Sequence, residues 1–129
     1  MEFALMAPIL MLVVIGAIDT GQFANVNHVV SNASREGGRL AARYDTETAN
    51  EVEAHVRAYL DGEFPGLSNG INVTVRDVNG SIANDLKSIE TGSQLSVEVV
   101  LEFDAVRWLS GTHVLEGREI ESTTFVRRE

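Results

Sequence analysis

The sequence predicts an α+β fold: a long N-terminal hydrophobic and amphipathic helix, a second shorter helix, and a three-stranded antiparallel sheet packed on the helical stem. Three observations carry that expectation. Residues 1–44 keep helical spacing with no loop-forming cluster. A second helical pattern follows and is stopped by Gly and Pro. Beyond it the pattern turns to alternation, and three strand-like runs succeed one another.

The first helix opens on MEFALMAPILMLVVIGAI, in which residues 3–18 are apolar or Gly/Pro and Glu2 is the one charged side chain. Sixteen uncharged residues are slightly short of the roughly 20 that span a bilayer, a difference that tilt or thinning accommodates. A cleaved secretory signal fits less well. No base precedes the run, and Ala17-Ile18-Asp19-Thr20-Gly21-Gln22 continues it as helix. A membrane anchor, or an anchor that becomes a polymer core, fits better. Pro8 removes one helical hydrogen bond and predicts a kink or a short melted stretch near Ile9, with Gly16 a second soft point. Asp19 follows the apolar block and reads either as a marker of the water interface or as an ordinary solvated residue. Residues 1–22 are accordingly assigned to the anchor or filament core, and 23–129 to an acidic head.

From Phe23 the apolar and small residues recur at Val26, Val30, Ala33, Gly37, Leu40 and Tyr44, in steps of three and four. That is a narrow seam for packing the stem against its partner. Gly37 and Gly38 each cost a helix about 1 kcal/mol against Ala. Either they permit close approach or they mark a bend.

The second helix is expected over 46–60, with Val52, Val56, Tyr59 and Leu60 on one face. Thr46 or Asp45 is its candidate cap, and Asp61-Gly62 with Phe64-Pro65-Gly66 its stop. Strands are expected near 71–76, 95–104 and 118–127, with an Asn79-Gly80 turn and loop over 81–93. Trp108-Leu109 falls in a further loop, as a flap over the sheet or a partner contact.

Composition excludes several functions. Residues 1–44 hold three acids and three bases, whereas 45–129 hold sixteen acids and seven bases, so the formal charge of −9 lies wholly on the C-terminal part. Such a surface repels phosphate backbones and argues against nucleic acid. Absence of cysteine removes disulfides, thiolate metal sites and thiol nucleophiles. His28, His55 and His113 have no metal-ligand spacing, and no nucleophile-elbow, phosphate-loop or calcium-loop pattern is present. Asn32-Ala-Ser, Asn72-Val-Thr and Asn79-Gly-Ser fit the glycosylation pattern, a weak signal in a chain rich in these residues. No enzyme site, cofactor or metal is expected.

The opening MEFALMAPILMLVVIGAID, the segment SNASREGGRLAARY at 31–44 and the closing STTFVRRE resemble TadE-like pilins of the tight-adherence (Tad) pilus system. The resemblance implies the type IV filament superfamily. Its subunits wait in the bacterial inner membrane, are trimmed by a prepilin peptidase, and are drawn by the pilus assembly machinery into an extracellular helical filament of copies of themselves. It implies an assembly set of Glu2, Phe3, Pro8, Leu12, Ile15, Gly16, Asp19, Gly37, Arg39 and Arg43. Glu2 is the candidate for the superfamily's docking carboxylate, which pairs with a neighbour's N-terminal amine. That carboxylate lies at the fifth mature position, so either further mature residues precede Met1 or this subunit docks differently. Arg39 and Arg43 suit either local ion pairs, as Glu36–Arg39 at three apart, or the acidic heads of adjacent subunits. The alternatives are a minor pseudopilin outside the fibre and a monomeric anchored binding module.

Overall fold

The computed structural model describes residues 2–65, 67, 70–107 and 115–129, with side chains of the first helix from Met6 onward. The Trp108-Leu109 pair, His113 and Gly66 lie outside the described residues, as do the side chains of Glu2 and Phe3. Helix α1 runs over Glu2–Ala42 and α2 over Ala49–Glu63. Strands β1 (Ile71–Arg76), β2 (Gln94–Glu102) and β3 (Glu119–Arg127) form one antiparallel sheet in that order, and a 3₁₀ turn over Phe103–Ala105 follows β2. The architecture is the expected α+β one.

The sheet takes its register from the alternation in the sequence. Leu95, Val97, Val99 and Leu101 all face inward and are buried. Val97 lies opposite Val75 on one side and Thr124 on the other, and Leu101 opposite Ile71 and Ile120, so apolar residues meet across the inner face. Stem residues Val26, Val30, Ala33 and Ala41 cover β2 and β3. Val52, Val56 and Leu60 of α2 close the core beside them, and Phe23 meets Phe103 edge to face at 5.2 Å between ring centres.

Several boundaries differ from expectation, each for a physical reason. Helix α1 passes through Pro8 and Ile9 unbroken, so the melted stretch is absent. One missing backbone bond leaves the turns on either side intact. The seam runs from Gly37 to the fully buried Ala41, with Leu40 partly buried against the core beside it, and does not reach Tyr44. An untwisted helix advances about 3.6 residues per turn, and α1 ends at Ala42, leaving Tyr44 79% exposed in the following turn. Helix α2 begins three residues later than read. Thr48 is its N-cap, because Thr46 is buried and donates to the Leu40 carbonyl at 2.7 Å, while Asp45 binds Arg43. The same helix continues through Asp61-Gly62 to Glu63 and stops at Phe64. Strand β2 ends at Glu102, where the chain turns to bury Phe103.

The loop over 77–93 is tied down locally. Asp77 accepts from the backbone N–H groups of Asn79 and Ser81, both at 2.9 Å, and Gly80 supplies the positive φ of 79° that the turn requires. Leu86 plugs the core from this loop.

Candidate functional site

Two chemistries share one helix. From Asp19 to Ala42 the inner face of α1 is covered by its own head; from Met6 to Ile18 the helix stands clear of it. Met6, Ile9, Leu10, Met11, Leu12 and Val13 are each more than 60% exposed, and Leu12 reaches 72%. A run of this kind in water exposes apolar surface at about 25 cal/mol per Å², so it needs lipid or another protein surface around it. Among the described residues α1 is the one helix long and apolar enough to cross a membrane, with a mean hydropathy of 1.7 in its apolar window, of which 11% is buried. At about 1.5 Å per residue, residues 3–18 span about 24 Å. Glycines 16 and 21 leave open space where a Cβ would stand. Ile15 and Gly16 are half-shielded, and the Gly16 carbonyl accepts the Thr20 hydroxyl at 2.8 Å.

The junction between anchor and head is polar and enclosed. Asp19 is fully buried, which corrects the reading of a solvated helix residue. One turn on, Gln22 donates through Nε2 to the Val106 carbonyl at 2.9 Å. The next residue, Arg107, is mostly buried and lies 3.7 Å from Asp104. The turn after β2 thus clasps the stem where the apolar helix emerges.

At the middle of the stem the helix approaches the sheet closely. A Cβ at Gly37 would stand 2.6 Å from Val56 Cγ2 and 3.3 Å from Val97 Cγ1; at Gly38 it would stand 2.9 Å from Val126 Cγ1. The glycines therefore serve close approach, within this chain. Beside them Ser34 is buried and its hydroxyl meets Ser122 at 2.9 Å, Thr124 at 2.8 Å and the Ser31 carbonyl at 3.0 Å. One donor and two acceptor positions are all used. The Ser/Thr strand of STTFVRRE is the complement of this small-residue stem.

The far end of α1 is closed by a residue that the sequence reading did not single out. Arg128, 4% exposed, sends its guanidinium into the carbonyls that end the helix: Nη1 donates to Ala41 and Arg43, both at 2.9 Å, and Nη2 to Thr46 at 2.8 Å. Glu129 N–H takes the Ala42 carbonyl at 2.9 Å. No glycine follows the helix to form a left-handed cap, so the cation opposite the negative end of the helix dipole takes that role. The basic end of the sequence was visible; its target, 87 residues away, was not.

The remaining candidates are peripheral. Arg39 is 80% exposed and 4.0 Å from Glu36, which also lies 4.0 Å from His55. Arg43 forks onto Asp45 at 3.0 and 2.7 Å. His28 and His55 are exposed. Glu47 accepts from Lys87, and this hydrogen bond with its charge holds the ammonium above its ordinary range. Among the described residues no group of three or more His, Asp or Glu is arranged to hold a metal.

Residues 1–39 match the family model described as TadE-like protein. The match covers the apolar run and the stem as far as Arg39, and over that stretch bears out the TadE-like resemblance. Neither the curated proteins nor the solved structures contain a match to the chain. The family match and the bare apolar helix fit a membrane protein associated with the Tad pilus.

Proposed function

We propose that this chain is a non-enzymatic structural pilin, held in the inner membrane by residues 1–22 and then polymerised into an extracellular Tad-type filament through packing of α1 against copies of itself. The observation that carries this reading is the junction at Asp19. A single unbroken helix is covered by its head on one side of that point and bare on the other, and the TadE-like match spans both parts. Lipid and a bundle of like helices are the two environments that satisfy such a surface. In transit from one to the other the head keeps its fold, because nothing in its core is drawn from residues 6–18. Leu12 and Ile15 supply the packing surface in this reading. Gly16 allows close approach of a neighbouring helix, and Glu2 is the docking carboxylate. No cofactor is required; processing by a prepilin peptidase and extrusion by the assembly machinery follow from the family likeness.

The test is to shear intact cells, pellet the released material, image it, and identify its polypeptides by mass spectrometry. Regular fibres containing this chain are expected. Its retention in the membrane fraction, absent from every fibre, sinks the polymerisation reading and leaves a minor pseudopilin or an anchored binding module.

A further inference from the structure

The two-layer head carries a basic pair on the back of α1 and an acidic corner on the outer face of its sheet. Helix α1 lies on the inner face of β2 and β3, so the back of the stem and the outer face of the sheet point in opposite directions. At about 100° per residue, the positions opposite the buried stripe are Gly21, His28, Asn32, Arg35 and Arg39, all of them exposed. Arg35 and Arg39 stand four apart, a like-charge spacing that destabilises a helix. Glu36, at the flank, reaches Arg39 at 4.0 Å.

The outer face of the sheet has the reverse arrangement. Glu102 and Glu119 are directly opposite across β2 and β3, Glu121 follows on the same face, and all three are exposed. Like charges facing each other across a ladder are also unfavourable. Arg118 stands at the edge of this corner beside Asp104, which leaves the corner net negative. Arg57 is engaged with Glu53, Arg76 with Glu98, Lys87 with Glu47, and Arg128 with the carbonyls of α1, while Arg127 stands exposed at the far end of β3 from this corner.

We infer that the Arg35/Arg39 stripe of one copy docks on the Glu102/Glu119/Glu121 corner of a second copy, an inference that rests on the polymerisation reading and specifies its head-level contact. Each surface relieves the repulsion built into the other. Neither is self-complementary, and they lie on opposite sides of the molecule, so pairing them leaves a free stripe and a free corner at the two ends. Such a heterologous contact propagates into an open array and does not stop at a dimer.

The chain has no cysteine, which makes the test direct. Full-length R39C and E121C are co-expressed in the native host, and oxidised on intact cells and on sheared fibres. A heterodimer from the mixture, none from either variant alone, and a ladder of multimers from the R39C/E121C double variant are expected. The two positions face opposite ways in one copy and cannot join within it. In parallel, R35E/R39E and E119K/E121K are each expected to lower fibre yield about tenfold or more, with recovery when both are expressed together. Wild-type fibres accompanied by no cross-link and no loss in the charge variants overturn the contact and leave polymerisation standing. Absence of wild-type fibres overturns the polymerisation reading itself. Loss of binding to phosphatidylglycerol vesicles by R35E/R39E, with no cross-link, assigns the stripe to an anionic lipid surface and also overturns the contact.

Discussion

Arg128 joins the last residues of the chain to the end of its first helix. A buried guanidinium is costly unless each donor finds an acceptor, and here the acceptors are helix-terminal carbonyls that themselves need donors. Arg128→Ala strands these groups in the interior. The expected loss is about 2–4 kcal/mol, read as a fall in the thermal midpoint of the detergent-solubilised chain. Arg128→Lys is expected to recover less than half of it, since a point ammonium cannot reach both sides of the carbonyl cluster as the planar fork does. Equal stability of wild type and Arg128→Lys would show that charge alone matters there. The Ser34, Ser122 and Thr124 hydroxyls illustrate the same accounting at smaller scale. These residues read in the sequence only as small and polar, because hydroxyl pairing 88 and 90 positions apart is set by the packing of helix on sheet.

At the scale of elements, helix α1 uses its glycines in two ways. Gly37 has Val56 and Val97 where a side chain would go, whereas Gly16 and Gly21 have nothing within 4 Å. Gly37→Ala is therefore expected to destabilise the head by about 1–3 kcal/mol through overpacking. Gly21→Ala is expected to leave the head intact and to raise helix stability by about 0.5–1 kcal/mol. Chemical denaturation of the two variants, followed by far-ultraviolet circular dichroism, separates them; a Gly37→Ala chain as stable as wild type would refute the close packing. The sequence resolved strands well, since strict alternation admits one register once one face is buried: β1 falls on 71–76 as read, and β2 and β3 within two residues. Caps and seams were less legible. The extent of the α1 seam depends on where the helix stops, which is decided by Arg128 and Thr46 from elsewhere in the chain. The cap of α2 depends on the same turn, because Thr46 is consumed by Leu40 and Thr48 is left to begin the helix. Of the candidate assembly residues, Leu12 and Arg39 stand exposed, Arg43 is held by its neighbour Asp45, and Asp19 and Gly37 are buried within the chain. Periodicity placed these residues on the helix. It could not say which faces the head would cover, because that depends on contacts far apart in sequence.

The whole molecule is a folded head on a bare helix, and this division makes the two parts separable by mutation. Leu12 stands at the middle of the apolar run, 72% exposed, and takes no part in the buried core. A charge at the centre of a membrane helix costs about 2.5–3.5 kcal/mol on insertion scales, which corresponds to a factor of about 60–400 in partitioning. In a bundle of packed apolar helices the same charge is buried without a partner, so both environments of the run are penalised at once. Leu12→Lys is therefore expected to leave the head as stable as wild type, to shift the chain out of the membrane fraction, and to remove it from sheared fibres. The control is a replacement of residues 3–18 by an unrelated apolar helix of equal length, which restores membrane retention. An anchored binding module tolerates that replacement, because lipid asks only for apolar length. A filament core does not, because neighbouring helices pack against particular side chains and the open space at Gly16. Retention without fibres is thus the outcome expected of a pilin, and fibres of normal yield from the replaced helix would show that assembly does not run through α1.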